Sequence, residues 1–205
     1  MQRTFAVLIA VVSWFALIAQ FELMMQNRVV PVPETAIRFF SFFTILTNSL
    51  VALFFTARSL NLAVTHTTGL LTAVTVYIFT VGIVYQFLLR HLFDFTGLQI
   101  AVDELLHTIN PLLVLLFWYF YEKKAAVKYG QIKSWLIYPL VYCIYTILHG
   151  RYSGFYPYPF VDVTKIGLQR TLLNCGLLIL FFMFIALLFV AIGQRIAKKR
   201  LLPVG

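Results

Sequence analysis

Residues 103–120 have the sequence DELLHTINPLLVLLFWYF, in which a polar head is followed by an unbroken apolar run. The surrounding stretch 100–121 is long enough to cross a hydrocarbon core about 30 Å thick. Stretches of similar length and composition recur along the whole chain, separated by short connections. They predict six membrane-spanning helices, over 4–26, 36–58, 68–90, 100–121, 132–150 and 168–193.

The amino-acid composition predicts the same class of protein. Apolar residues make up 61% of the chain and charged residues only 11%, which leaves too few polar side chains to cover the surface of a soluble domain. None of the connections is long enough to fold separately. We therefore predict an all-α, polytopic membrane protein in which residues 1–205 form a single domain.

The net charge of +9 is concentrated on one side of the predicted helices. The N-terminus, the second and fourth connections and the C-terminal tail hold ten basic residues against one acid, whereas the opposite side holds six of each. Enrichment of Lys and Arg in short cytoplasmic loops predicts that both termini are cytoplasmic. It also favours contact with anionic lipid headgroups over binding of nucleic acid. The ten basic residues are Arg3, Arg58, Lys123, Lys124, Lys128, Lys133, Arg195, Lys198, Lys199 and Arg200.

Polar residues are concentrated in the helix halves that lie away from these basic connections. At a rise of about 1.5 Å per residue, Thr44 lies about 12 Å inside the second span and His107 about 10 Å inside the fourth. Ionisable residues within a membrane are energetically costly and usually face a partner or a water-filled cavity. We therefore predict a cavity open to the outer side of the membrane. Its predicted lining is Glu22, Thr44, Asn48, Gln86, Asp103, His107, Asn110, His149 and Asn174.

The stretch DELLHTINP provides a positioned histidine within this cavity. Asp103 lies four residues and Glu104 three residues before His107, so one or both carboxylates share its helix face. A carboxylate beside one imidazole nitrogen fixes the tautomer and makes the other nitrogen a better base. Asn110 follows as a polar partner, and Pro111 is expected to kink the helix and free the His107 carbonyl. The alternative is a structural role, in which these groups only join helices.

Thr44 provides a hydroxyl at the depth of this histidine. A threonine in a membrane helix usually donates to a carbonyl one turn earlier or to a neighbouring helix. It can instead act as a nucleophile when a base within about 3 Å accepts its proton. The match in depth with His107 favours this second role.

The connection HGRYSGFYPYPFVDV, at 149–163, is rich in aromatic residues and proline. This composition is typical of a rigid segment in the headgroup region, where tyrosine is favoured. Such a segment either anchors the protein as part of an aromatic belt or forms a lid over the cavity. In the second case Arg151 or Asp162 would contact a ligand.

Three blocks of the chain resemble a known family: FFTILTNSLVALFF at 42–55, ELLHTINP at 104–111 and YPYPFVDV at 156–163. In these blocks the chain is similar to a bacterial family of six-helix membrane proteins. More distantly, it resembles the androgen-induced and androgen-dependent membrane proteins of animals, which hydrolyse fatty acid esters of hydroxy fatty acids. The resemblance implies a threonine nucleophile and a histidine on two different helices, with no cofactor or metal.

The resemblance assigns these two roles to Thr44 and His107. The animal proteins carry an acidic or amide residue three positions after the threonine, where this chain has Thr47, followed by Asn48. Thr47 would therefore be the nucleophile if the alignment shifted by three residues. The animal proteins also have a second histidine where this chain has Glu104.

The leading hypothesis is a membrane hydrolase that acts on a lipid-like ester, with Thr44 as the nucleophile and His107 as the base. A neighbouring carboxylate would orient the imidazole, and Asn48 or Asn110 would donate a hydrogen bond to the oxyanion. Acyl chains would enter between helices, while water would enter from outside. The compact connections, and the lack of a eukaryotic targeting pattern, favour the plasma membrane of a bacterium.

Two other functions stay open. One is non-enzymatic binding or transport of a lipid or small molecule, which needs the cavity but no hydroxyl nucleophile. The other is metal-dependent hydrolysis, for which His91, His107 and His149 fall in the same half of the membrane. Zinc catalysis needs three protein ligands, and the chain has no HxxxH or HxxE pair, so we expect no metal and no other cofactor. The expected partners are membrane lipids and the ester substrate.

Overall fold

The computed structural model describes residues 1–201, which contain helices and turns but no strand. Residues 202–205 and the side chain of Arg200, part of the predicted basic tail, lie outside the described part. The α-helices of this part are α1 (Gln2–Gln26), α2 (Val32–Ser41), α3 (Phe43–Ser59), α4 (Leu70–Val84), α5 (Leu98–Glu104), α6 (Asn110–Tyr121), α7 (Ile132–Trp135), α8 (Ile137–Ser153), α9 (Val163–Ile166) and α10 (Leu168–Leu201).

Several helices in the described residues are long and apolar enough to cross a membrane. Four pass this test alone, and α2 and α3 pass it together although the pair is bent by 79°. The prediction of an all-α chain is therefore confirmed, and its helices are compatible with a multi-pass membrane protein that has four or five candidate spans rather than six. The predicted span 132–150 instead gives the short α7 followed by α8, which has 17 residues where a span needs about 20. The four single spans are Gln2–Gln26, Leu70–Leu92, Leu98–Tyr121 and Leu168–Lys199.

Phe42 interrupts the second predicted span, so the expectation of one continuous helix over that range is wrong. Its backbone is extended, with φ −78° and ψ 127°. A break in an apolar region leaves backbone groups without helical partners. The Tyr142 hydroxyl donates to the Ser41 carbonyl at 2.9 Å, and the Thr44 amide donates to the Tyr158 hydroxyl at 3.2 Å. The break is therefore stabilised by tyrosines from distant parts of the chain.

The predicted basic segments meet at one end of the helical bundle. Arg3 donates to the Ser59 carbonyl at 3.0 Å, which joins the N-terminus to the second connection. Gln131 of the fourth connection donates to the Thr68 carbonyl at 2.8 Å. The end of α10 packs against the fourth connection at 124–126. The connections that follow α1, α4 and α8 lie at the opposite end.

Two helices contain a single π-helical turn at this opposite end. Tyr85–Leu89 continues α4, and Leu105–Ile109 joins α5 to α6. The two turns lie side by side because Gly82 lets α4 approach closely. A Cβ atom at Gly82 would lie only 3.0 Å from the His107 carbonyl oxygen. Isolated π turns of this kind are frequent at functional sites.

The second π turn changes which carbonyl the proline leaves free. The Asn110 amide donates to the Leu105 carbonyl, one residue further back than in an α-helix. The next donor in this register would be the N–H that Pro111 lacks. The Leu106 carbonyl therefore loses its helical donor, rather than the His107 carbonyl expected for a regular α-helix.

Candidate functional site

Thr44, His107 and Asp103 form a continuous series of contacts between α3 and the helix that contains the second π turn. Thr44 Oγ1 lies 3.4 Å from His107 Nε2, and His107 Nδ1 lies 3.0 Å from Asp103 Oδ1. The same Nδ1 atom lies 3.1 Å from the Asp103 carbonyl oxygen. Both acceptors favour the tautomer with its proton on Nδ1, which leaves the Nε2 lone pair for the Thr44 hydroxyl.

The helix break explains why Thr44 occupies this position. It lies in the first turn of α3, directly after Phe42. The amides of a first helical turn have no intrahelical acceptor, and the helix dipole makes this end partly positive. The Thr44 hydroxyl is thus beside a group of backbone donors as well as beside an imidazole. Only 9% of Thr44 is exposed, so both features act in a largely water-excluded environment.

Tyr85 completes the surroundings of the histidine, and the sequence analysis did not identify it. Its hydroxyl donates to Asp103 Oδ2 at 2.5 Å. Its ring stacks on the His107 imidazole, with 3.7 Å between the ring centres and 13° between the planes. Because Tyr85 lies in the first π turn, it holds both the carboxylate and the imidazole from one side. The Tyr85–Leu89 distortion that accompanies these contacts is not revealed by the sequence.

Two alternatives left open by the sequence do not share this site. Thr47 is fully buried, and its hydroxyl lies 3.2 Å from the Tyr138 hydroxyl rather than near the histidine. Glu104 forms an ion pair with Arg90 and accepts a hydrogen bond from Thr108 at 2.6 Å. The carboxylate beside the imidazole is therefore that of Asp103 alone.

Asn48 and Asn110 join the two helices instead of facing the cavity. Asn48 Nδ2 donates to the Thr44 carbonyl at 2.9 Å and to the Leu106 carbonyl at 3.3 Å. Asn110 Nδ2 donates to Asn48 Oδ1 at 2.8 Å. Both asparagines are fully buried, and Asn48 has used both of its amide protons. The expected oxyanion role does not fit this geometry, whereas the bond to Leu106 compensates for the N–H that Pro111 lacks.

Tyr158 brings the 149–163 segment into the site. Its hydroxyl lies 3.2 Å from the Thr44 amide nitrogen and 3.3 Å from Thr44 Oγ1. Its ring packs between those of Phe42 and Phe160. Burial raises the pKa of the Tyr158 hydroxyl, with the hydrogen bonds to Thr44 opposing that shift. The group therefore keeps its proton at neutral pH and is available as a hydrogen-bond donor.

The segment that carries Tyr158 is anchored at its C-terminal end. Asn174 of α10 donates to the Phe160 carbonyl at 2.8 Å, so this predicted lining residue positions the segment. Asp162 caps α9 by accepting from the Thr164 hydroxyl at 2.5 Å and from nearby amides. Burial alone would raise the pKa of the Asp162 carboxyl, but these hydrogen bonds and Lys165 lower it below its usual range. Asp162 thus has a structural role, not the expected contact with a ligand.

Tyr156 packs directly over Gly150 of α8, and this contact gives a test of how the segment is held. A Cβ atom at Gly150 would lie 2.0 Å from the Tyr156 ring. We expect Gly150→Ala to displace the ring and to lower the midpoint of thermal unfolding in detergent, since overpacking costs about 1–3 kcal/mol. Gly176→Ala is the matched control, because a Cβ atom there meets nothing within 4 Å. Equal midpoints for the two variants would show that this contact does not hold the segment.

Three predicted lining residues lie outside the site. Glu22 is exposed and accepts a hydrogen bond from Gln26 at 2.9 Å. Gln86 donates to the Thr108 hydroxyl at 2.8 Å, within the group that surrounds Glu104. His149 stacks on Tyr145 and lies 3.4 Å from the Ser153 hydroxyl. The partners of these three side chains differ from those of Thr44 and His107, so depth along a helix did not predict their direction.

A cavity of about 290 Å³ opens at the Thr44–His107 contact. Pro157 and Tyr158 line it, so the 149–163 segment does cover the site, but Arg151 does not contribute to its lining. Gln20 and Gln99 give it a polar side, and phenylalanines give it an apolar one. The residues around the reacting groups are Phe42, Thr44, Tyr85, Phe93, Phe95, Asp103, His107 and Tyr158.

The histidines considered as metal ligands are not brought together. His149 has the partners given above, and His107 is engaged by Asp103 and Thr44. Within residues 1–201, no group of three His, Cys, Asp or Glu side chains is placed to hold a metal ion.

Comparisons of this chain with protein-family models, with curated proteins and with solved structures give no match. The geometry of the site is therefore the basis for assigning a function.

Proposed function

We propose that this protein is an intramembrane hydrolase of a lipid-like ester, with Thr44 as the nucleophile and His107 as the base. The observation that carries the proposal is the contact series from hydroxyl to imidazole to carboxylate, with distances of 3.4 Å and 3.0 Å. A hydroxyl becomes an effective nucleophile when an oriented base accepts its proton. A structural threonine would need only a backbone acceptor and no such base.

In the proposed reaction, the Thr44 hydroxyl oxygen attacks the ester carbonyl carbon while His107 Nε2 accepts the hydroxyl proton. The tetrahedral intermediate then breaks its bond to the alcohol oxygen, which leaves with the proton from His107. The acyl group stays on Thr44 as an ester. Water attacks this ester, His107 again accepts and returns the proton, and the carboxylic acid leaves. Asp103 stabilises the imidazolium that forms in each half-reaction.

The oxyanion of the intermediate would be stabilised at the start of α3. The Tyr158 hydroxyl lies 3.3 Å from Thr44 Oγ1 and keeps its proton, so it can donate to an oxygen bonded to the attacked carbon. The amides of the first turn of α3 provide further donors and the positive end of a helix dipole. This assignment replaces the asparagines that the sequence favoured.

We further propose that the chain crosses the membrane six times, with α2–α3 as a broken span and α8 as a short one. The ten basic residues at one end support cytoplasmic termini at that end. The site would then open toward the outer side of a bacterial plasma membrane. Substrate would arrive from the lipid phase, and water would arrive from outside.

A lipid-like ester is the proposed substrate class for two reasons. The site lies between apolar helices and has a cavity that is polar on one side only. Each block that resembles the androgen-induced and androgen-dependent hydrolases contributes to the site, and the blocks supply Thr44, His107 and Tyr158 respectively. A shared mechanism with that family is part of the proposal.

Asp103→Asn tests the mechanism through the group that orients the base. We expect turnover of a fluorogenic butyrate ester by purified protein in detergent to fall about 10³-fold, because an amide favours the wrong imidazole tautomer. Glu104→Gln is the matched control, since this adjacent carboxylate pairs with Arg90 and should leave turnover within a few-fold of wild type. Equal effects of the two substitutions would contradict the proposed role of Asp103.

The same assay separates hydrolysis from non-enzymatic lipid binding. A binding protein needs the cavity but no base beside the hydroxyl. Wild-type protein that is folded and retains lipid, yet hydrolyses no ester, would support the binding function and overturn the catalytic one.

A further inference from the structure

Thr44 lies at a junction between two cavities of different character. The site cavity described above lies on one side of it. On the other side is a narrow space of about 50 Å³, here called the neck. Thr44, Tyr85 and Tyr158 line both spaces, so the two meet at the hydroxyl. The neck continues away from the histidine, between α4 and α10.

The neck leads to a wider groove on the outer surface of the helical bundle. This lateral groove has a volume of about 460 Å³ and lies between the end of α4 and the first half of α10. Val84, Phe160 and Leu178 line both the neck and the groove. The neck and the groove are therefore adjacent, and together they extend from Thr44, past these three side chains, to the surface of two helices that are long and apolar enough to span a membrane.

The chemistry of the lateral groove is apolar. Phe87 and Leu177, which line the lateral groove, are 78% and 55% exposed, as expected for side chains that face lipid. The only polar side chain in the lining of the groove is Asn174, and its amide already donates to the Phe160 carbonyl. The neck also has the hydroxyls of Thr80 and Tyr142, which donate to the Val76 and Ser41 carbonyls. A headgroup would find no partner here, whereas a hydrocarbon chain would be well matched.

The opposite side of Thr44 has the complementary character. Asp103 and His107 line the site cavity together with Gln20 and Gln99, so that polar groups and water are accommodated there. An ester with its carbonyl at Thr44 would therefore have its two halves in different environments.

We propose that the lateral groove and the neck bind the acyl chain of the substrate, which enters from the membrane between α4 and α10. The carbonyl then reaches Thr44 at the inner end of the neck, and the alcohol half lies in the site cavity. This inference rests on the proposed hydrolase function and adds the place where the acyl half of the ester is held. Phe160, whose carbonyl accepts a hydrogen bond from Asn174, lies where the neck joins the groove. Entry of the acyl chain therefore depends on the position of the segment that carries Tyr158.

Leu178→Trp tests the path by filling the point where the neck meets the groove. We expect turnover of a dodecanoyl ester to fall at least about tenfold, and turnover of the matching acetyl ester to stay within about twofold of wild type. Leu180→Trp is the matched control on the same helix, because Leu180 is 56% exposed and does not line the groove. It should leave both esters unaffected.

A second measurement needs no catalysis. A photoreactive long-chain fatty acyl probe should label groove residues such as Leu177 and Phe181 in wild-type protein and in Thr44→Val, but not in Leu178→Trp. The inference would be overturned by the following combination of results. Wild-type protein hydrolyses both esters, Leu178→Trp changes the turnover of both esters equally, and the probe does not label the groove. If wild-type protein hydrolyses neither ester, the proposed function fails, and the labelling pattern alone decides whether the groove takes an acyl chain.

Discussion

Thr44→Val should lower ester turnover by about 10⁵-fold, because it removes the attacking oxygen while keeping the shape of the side chain. The site would otherwise stay intact, since His107 keeps its contacts with Asp103 and Tyr85. The measurement is the steady-state hydrolysis of a fluorogenic butyrate ester by purified protein. Residual activity close to the uncatalysed rate is the expected result.

Two further variants make this prediction specific to the Thr44 hydroxyl. Thr44→Ser removes the methyl group but retains the hydroxyl, and it should keep turnover within about tenfold of wild type. If the methyl group of Thr44 were the important part, this variant would lose activity instead. Thr47→Val removes the other candidate hydroxyl, which contacts Tyr138 instead of the imidazole, and should leave turnover nearly unchanged. Loss of activity in Thr47→Val with retention in Thr44→Val would overturn the assignment of the nucleophile.

His107→Ala should have an effect of similar size, about 10⁵-fold on turnover, since no other base among residues 1–201 contacts the Thr44 hydroxyl. Nucleophile and base act as a unit, so the double variant Thr44→Val with His107→Ala should be no less active than either single variant. This lack of additivity distinguishes a catalytic pair from two independent structural residues.

His149→Ala is the matched control for the histidine. Its ring stacks on Tyr145 and contacts Ser153, and it lies outside the lining of the site cavity. Turnover should therefore stay close to wild type. Comparable losses in both histidine variants would indicate that the substitutions disturb folding, and a size-exclusion profile and thermal midpoint of each variant would check this directly.

The depth of the central residues could be predicted from the sequence, but their direction could not. Helical rise places Thr44 and His107 at similar heights, and the structure brings their side chains within 3.4 Å. The same reasoning gave suitable heights to Glu22 and His149, which face elsewhere. Height follows from counting residues, whereas direction around a helix depends on packing against distant parts of the chain.

The break at Phe42 and the two π turns were not predictable for a related reason. No proline or glycine marks the break, and its backbone groups are satisfied by Tyr142 and Tyr158, far along the chain. The π turn at Leu105–Ile109 precedes Pro111, whose position suggested a kink but not the register that results. Tyr85 lies in one of these π turns, and Tyr158 contacts Thr44 directly after the break. When regular helices were assumed, the donor to the oxyanion was expected to be an asparagine. Tyr158 has the better position for this role.

The most direct test of the central claim is to locate the adduct of a fluorophosphonate probe by peptide mass spectrometry of the purified protein. The probe loses fluoride to an activated hydroxyl oxygen and marks that residue covalently. We predict a single adduct on Thr44 in wild-type protein and no adduct in His107→Ala, because activation depends on the imidazole. An adduct on Thr47, or an adduct on Thr44 that persists without His107, would contradict the proposed mechanism.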